Sequence, residues 1–262
     1  MIVAIHQPNY LPWLGYFHKM KMADIFIFLD HVQIPGKGLA NKNYIKGKDG
    51  SKVLLTVPLK RLKGMHSSYN ESVPDYAQQW QKEHLNKITD AYRKAPYFEQ
   101  MFPLLESLLI MRYDNLSLMN MAIIKSICNQ LGIHTKLIIA SALSNNQLHK
   151  NERNIDLVKQ VGGNTYLSGQ GAKKYNDEAL FAHHEINMTY QSFEMPTYNQ
   201  IGEGFVTQLS VIDLLFNLLK GKDIDFILEK ISNNERFMQA LGKAVAKEII
   251  KNCDINVKIK KE

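Results

Sequence analysis

Two apolar runs open the chain, Ile2 to Ile5 and, after a polar and aromatic stretch, Asp24 to Asp30, which reads DIFIFLD. Their β-branched and aromatic content, without polar interruption, predicts two buried strands. Between them Trp13, Leu14, Phe17, Met20 and Met22 partly follow helical spacing, and Ala23-Asp24 closes the segment. Strand, loop, helix and strand in that order predict a βαβ unit. Gly36, Gly38, Gly47 and Gly50 then mark an irregular, mobile stretch rich in Lys and Asn, before VLLTVPL (Val53 to Leu59) returns to a strand.

From Tyr76 to about Leu131 the pattern turns helical, with Trp80, His84, Ile88 and Ala91 on one face and a break at Ala95-Pro96. Phe98 to Met111 and Leu116 to Leu131 continue it, which predicts a helical insertion of about three helices over about 76–131. Thr135 to Ser141 reads as a strand, Asn151 to Gly163 as a helix with a Gly C-cap, and Thr165 to Gly169 and Asn187 to Phe193 as strands. Ser210 to Leu219, Ile224 to Ile231 and Asn234 to Lys251 read as closing helices. The alternation predicts an α/β fold with a mostly parallel sheet covered on both faces, and such sheets bind ligands beyond the carboxyl ends of their strands. Those ends carry His6-Gln7-Pro8-Asn9, Asp30-His31-Val32-Gln33 and Ser168-Gly169-Gln170-Gly171.

With 262 residues and 45% hydrophobic content the chain can bury a substantial core, and the expectation is one α/β domain over 1–262. Cys128 and Cys253 lie too far apart in sequence to suggest a disulfide framework or metal-ligand spacing, which points to a reducing cytoplasm. The opening residues MIVAIHQ lack the parts of a signal peptide, and no apolar segment reaches the roughly 18 to 20 residues of a membrane span, so a soluble protein without stable membrane insertion is expected. The formal net charge of +7 is partly terminal: from Lys230 onward eight Lys or Arg face four Asp or Glu. That basic C-terminal helical segment, about 220–262, reads most simply as a solvated helix and frayed end; a nucleic-acid or membrane surface is the alternative. No RNA-binding signature accompanies it.

The segments HQPNYLPWLGYFHKM, FIFLDHVQ, NKNYIK, LTVPL, AYRKAPYF, GGNTYLSGQGAKKY and LSVIDLLFN occur in order from about residue 3 to residue 219. Together they resemble the WbqC-like protein family. The resemblance implies a place among proteins of bacterial surface polysaccharide synthesis, O-antigen in particular, and a suggested glycine transferase activity. A second resemblance concerns QPNYLPWLGY, whose layout is similar to the HIGH-type nucleotidyltransferase motif that follows a first strand and enters a helix. Gly15 falls on the motif's Gly, and Trp13 and Tyr16 fall where its two His stand; YLSGQGAKKY resembles the late Ser-containing turn of those domains. The implied fold is Rossmann-like. An indole or phenol can donate a neutral hydrogen bond but cannot supply positive charge to a phosphate, so the motif points to nucleotide binding more than to nucleotidyl transfer.

Several side chains are candidates for chemistry. His6 suits proton abstraction near neutral pH, or ties down the Pro8 turn. Gln7 and Asn9 can donate to and accept from a sugar hydroxyl, or bond their own turn. Tyr10, Trp13 and Tyr16 form an aromatic cluster that could stack on a base or sugar, or simply pack. Gly15 lets a phosphate or a neighbouring strand come close to the helix. Asp30, with Gln33 nearby, could bind or deprotonate an amine; a helix cap or an ion pair with Lys42 or Lys46 is the alternative. Asn41, Asn43 and Lys46 on the Gly-rich stretch could hold sugar hydroxyls and phosphate, and Tyr198 and Gln200 could complete a sugar pocket. The turn Ser168-Gly169-Gln170, with Lys173 and Arg153, reads as a phosphate site. No Walker loop, dinucleotide fingerprint, zinc helix or cysteine cluster is present in the sequence, and no metal is expected.

These features and the resemblance lead to one expectation: an aminoacyltransferase that directs the amine of a nucleotide-linked amino sugar at an activated amino acid such as glycine. His6 or Asp30 would take the proton and Gln7 would line the oxyanion. ATP or an aminoacyl-tRNA is the candidate source of the activated acyl group. A nucleotidyltransferase or adenylate-forming enzyme with an altered motif, and a non-catalytic sugar-nucleotide-binding protein, are the alternatives.

Overall fold

A computed structural model describes residues 1–36, 38–143 and 148–218. The two last predicted helices, Ile224 to Ile231 and Asn234 to Lys251, and the basic tail lie outside the described residues. The elements run β1 (Ile2–His6), α1 (Leu14–Lys21), β2 (Ile25–Phe28), β3 (Lys42–Lys46), β4 (Lys52–Thr56), β5 (Leu59–Arg61) and β6 (Ser72–Pro74). Three helices follow, α2 (Trp80–Tyr92), α3 (Phe98–Leu109) and α4 (Leu116–Gln130). Then come β7 (Lys136–Ile139), α5 (Ala140–Leu143), α6 (Lys150–Gln160), β8 (Thr165–Ser168), α7 (Glu178–His183), β9 (Asn187–Tyr190) and α8 (Val211–Asn217).

Five strands form one sheet in the order β7-β2-β1-β8-β9, and every pairing in it is parallel. Helices flank it, so the fold is α/β and Rossmann-like. Side chains alternate across each strand. Val3, Ile5, Ile25 and Ile27 join Ile155, Leu157 and Val158 of α6 and Phe181 of α7 in one core. Ala4, Phe26 and Phe28 join Phe17 and Met20 of α1 and the apolar faces of α2, α3 and α4 in the other. Helices α1 and α6 therefore sit on opposite faces. The chain moves outward from β1 through β2 to β7, then returns to the far side of β1 for β8 and β9. The direction reverses between β1 and β8, the position where open parallel sheets bind ligands.

Close packing at this core explains one glycine. Helix α6 ends with Gly162 at φ +73°, and the Gly163 N–H bonds the Val158 carbonyl at 2.8 Å. A Cβ on Gly163 would lie 2.4 Å from Val3 Cγ2, so helix and strand could not approach as they do.

Three expectations change. The Lys- and Asn-rich stretch contains strand β3, which pairs antiparallel with β4, and the Gly47 to Ser51 turn joins them with Gly50 at φ +77°. The strand expected over Val53 to Leu59 splits around Val57 and Pro58 into β4 and β5, and neither joins the central sheet. Likewise the strand expected through Ser141 stops at Ile139, and Ala140–Leu143 turns into α5.

Candidate functional site

A cleft of about 840 Å³ opens at the reversal point, between the carboxyl ends of β1 and β8. Its floor is the end of β1: Ile5, His6 and Gln7. His6 Nδ1 lies 3.0 Å from the Gln7 carbonyl, which makes Nδ1 the donor and leaves Nε2 as an acceptor. The ring meets Tyr16 edge-on at 4.9 Å, and Tyr16 donates its hydroxyl to the same Gln7 carbonyl at 3.1 Å. Burial, reinforced by nearby Lys19, lowers the His6 pKa to about 3, so the imidazole is neutral.

Lys19 reaches the floor from α1. Its Nζ donates to the Ile5 carbonyl at 3.0 Å and stands 5.9 Å from the centre of the Phe26 ring. The residue is 4% exposed, and burial lowers its pKa to about 7.

At the start of α1 the indole of Trp13 lies against Gly15. An added Cβ there would come within 2.3 Å of Trp13 Cη2, so the glycine makes room for its neighbour's ring. Gly15 itself lines the cleft. Trp13 also meets Phe193 edge-on at 5.4 Å, and Gln191 Nε2 bonds the Gly15 carbonyl at 2.8 Å.

The opposite wall is built by α6 and the turn after β8. Lys150, Asn151, Arg153 and Asn154 line it from the first turns of α6, whose N-cap, His149, supplies no side-chain bond. Asn154 Nδ2 donates to the Tyr166 hydroxyl at 3.3 Å, while its Oδ1 and the Arg153 Nε are buried without a partner among the described residues. Ser168, Gly169 and Gln170 complete the wall as β8 passes into a 3-10 helix, Gln170–Tyr175. The Ser168 hydroxyl accepts from Asn176 Nδ2 at 3.0 Å. Among the described lining residues, Lys19, Lys150 and Arg153 are basic and none is Asp or Glu.

The cleft thus brings together His6, Gln7, Trp13, Gly15, Tyr16, Arg153, Ser168, Gly169, Gln170 and Gly171 of the residues singled out from sequence. The others lie elsewhere. Asp30 is 3% exposed and serves as a cap: its carboxylate accepts from the Ser141 N–H at 3.0 Å and hydroxyl at 2.6 Å. Gln33 is exposed and pairs its backbone with Ser68. Asn9 accepts from the Tyr69 hydroxyl at 3.3 Å, and Tyr10 donates to His84 Nδ1 at 2.8 Å inside the core. Asn41 Nδ2 donates to the Val57 carbonyl at 2.7 Å and Asn43 Nδ2 to the Leu11 carbonyl at 2.6 Å, so both fasten the β3–β4 hairpin region. Lys46 is fully buried and donates to the Gly204 carbonyl at 2.6 Å. Tyr198 and Gln200 both donate to Asp213, at 2.6 and 2.9 Å. Lys173 sits with its Nζ 5.4 Å from the centre of the Tyr190 ring, outside the cleft lining.

Sequence reasoning missed Lys19, Lys150, Asn154, Tyr166 and Gln191, all of which line the cleft. A signal existed for Lys19. An eight-residue helix between two buried parallel strands packs on nearly every side, and α1 buries six of its eight residues.

The model of the WbqC-like protein family matches residues 7–223, a span that holds every cleft residue from Gln7 onward. The uncharacterized protein Rv1507c of Mycobacterium tuberculosis is 33% identical over 220 residues, covering 82% of this chain and 93% of its own. No solved structure matches the chain at a significant level. No described helix is long and apolar enough to cross a membrane, and no described group of three or more His, Cys, Asp or Glu could hold a metal ion. A family match that covers most of the chain, together with a relative aligned over nearly its whole length, leads to one conclusion: this chain belongs to the WbqC-like protein family.

Proposed function

We propose that this protein transfers an aminoacyl group, glycyl in the first instance, to the amine of a nucleotide-linked amino sugar used in surface polysaccharide synthesis. One observation carries the binding half of this reading: the cleft at the sheet's reversal point is lined by Lys150 and Arg153 and by no described carboxylate. A lining of that sign, with the first turns of α6 on one wall, suits the diphosphate of a sugar nucleotide. The unpartnered Arg153 Nε adds a donor to that wall, and Trp13 offers an aromatic face. The family resemblance supplies the reaction class.

Amide formation requires a free amine, an activated carbonyl and stabilisation of the tetrahedral oxyanion. Alignment of two bound substrates can contribute roughly 7 to 11 kcal/mol toward the barrier, so a covalent nucleophile is not required. Gln7 and the backbone N–H groups after β8 are the candidates for the oxyanion, and His6 Nε2 can accept a hydrogen bond from the substrate. ATP, by way of an acyl adenylate, or an aminoacyl-tRNA would supply the activated acyl group.

Mass spectrometry of UDP-glucosamine incubated with the protein and glycine, with and without ATP and separately with glycyl-tRNA, tests the reading. A glycyl mass gain is the expected result, and its donor requirement identifies the activation route. Failure with every donor, across UDP-, dTDP- and GDP-linked amino sugars, overturns it. Pyrophosphate release from ATP or CTP without acyl transfer would favour nucleotidyl chemistry instead, in which Lys150 and Arg153 take the place of the absent motif histidines.

A further inference from the structure

Lys19 enters the cleft from α1, on the face of the sheet opposite α6. Its Nζ uses one hydrogen on the Ile5 carbonyl and forms no ion pair with any described carboxylate. The titratable and charged groups that share the cleft with it are His6 from β1, Tyr16 from α1 itself, Lys150 and Arg153 from α6, and Tyr166 and Tyr175 from β8 and the turn beyond it. None brings a negative charge at neutral pH. An ammonium buried among neutral and cationic groups is disfavoured, so Lys19 gives up its proton far more readily than a surface lysine, and its neutral form has a lone pair to spare. Burial lowers its pKa to about 7, in keeping with that placement.

The other proton acceptors expected from sequence are less suited. Asp30 is committed to Ser141 and lies outside the cleft lining. His6 is a very weak base, with its pKa near 3.

We propose that Lys19 is the proton acceptor of the cleft: its Nζ takes a proton from the ammonium of the bound amino sugar and frees the amine to attack the acyl carbon. This rests on the aminoacyl-transfer reading. The N–C bond then forms and the acyl C–O bond to the adenylate or tRNA ester breaks. The nitrogen's second proton leaves with the departing oxygen, and Lys19 returns its proton to solvent.

The test pairs Lys19→Met with Lys19→Arg, which keeps a charge that cannot be given up. Calorimetric binding of UDP-glucosamine serves as the check on folding. In the wild type, kcat/KM for glycyl transfer should rise with pH through an inflection near 7. Both variants should bind the sugar nucleotide, lose at least about 100-fold in rate, in the range of general-base contributions, and lose the inflection. Ethylamine added to Lys19→Ala should restore part of the rate. Transfer by either variant at the wild-type rate with the inflection in place overturns the proton-acceptor role and leaves the aminoacyl-transfer reading standing. Absence of transfer by the wild type itself overturns both. A measurement that needs no reaction stands beside these: competitive acetylation of the intact protein across pH should give half-reaction of Lys19 near pH 7, and half-reaction near that of surface lysines overturns the proposal.

Discussion

Lys19 and Lys46 are 4% and 0% exposed, yet their surroundings differ in kind. Lys46 donates to the Gly204 carbonyl and lies within electrostatic reach of Asp213, whose carboxylate also accepts from Tyr92 at 2.8 Å, Tyr198 at 2.6 Å and Gln200 at 2.9 Å. Gln200 closes on Val206 in both directions, and the Lys46 N–H bonds the Tyr92 hydroxyl at 3.0 Å. The network joins β3, α2, α8 and the 198–206 segment without opening to the cleft. Burial pushes the Asp213 carboxyl up while its donors pull it back. Lys19 has a single carbonyl partner and a cavity beside it. Both regions drew candidate residues from the sequence, and the structure separates them: each amine bonds one carbonyl, but Lys46 has the Asp213 carboxylate within electrostatic reach inside a closed network, whereas Lys19 has an open cleft beside it and no carboxylate in the lining.

Removal of the carboxylate from the filled network is the most damaging change. Asp213→Ala strands two tyrosine hydroxyls, Gln200 and the Lys46 charge, and should cost about 3–5 kcal/mol in urea unfolding. A loss under about 1 kcal/mol would break the contrast.

Lys19→Met acts in the opposite sense, and pH exposes it. The folded pKa near 7 lies below the ordinary lysine value of 10.5, so across that window the unfolded chain binds more protons and wild-type stability rises with pH. Urea unfolding from pH 7 to 10.5 should show the wild type gaining a few kcal/mol relative to Lys19→Met, and equal slopes would refute the buried neutral amine.

Gly15→Ala sharpens the comparison at the cleft rim. Its methyl meets the Trp13 ring, so about 1–3 kcal/mol of thermal stability should be lost, with weaker sugar-nucleotide binding. Asp30→Asn is the mildest change. It weakens a charged cap on Ser141, should cost about 1 kcal/mol, and should leave calorimetric affinity for UDP-glucosamine unchanged.

The central sheet is legible in the sequence because β1 and β2 are near-continuous apolar runs flanking a helix and the shorter strands β7, β8 and β9 alternate with helices. Strand β3 is not. Asn43 and Lys46 point inward there, and polar residues at buried positions erase the period that marks a strand. The reversal point follows from strand alternation, which is how His6, Gln7 and Ser168 come to be singled out. The carboxyl end of β2 is the exception. The Ser141 turn of α5 engages Asp30, and a one-turn helix leaves no pattern in sequence. Lys19 escapes notice because a lysine on a helix ordinarily faces water; only the tight βαβ packing around α1 forces it inward.

The ring of Trp13 folded onto Gly15 has an optical consequence. The chain has two tryptophans, and Trp80, 2% exposed, packs beside Tyr76 and His84 in the helical layer, away from the cleft. A nucleotide base stacking near Trp13 would quench or shift its emission while Trp80 keeps a constant, blue-shifted signal. Trp13→Phe would leave that constant emitter alone. Occupancy of the cleft can therefore be followed by intrinsic fluorescence, without a label and before any reaction is known.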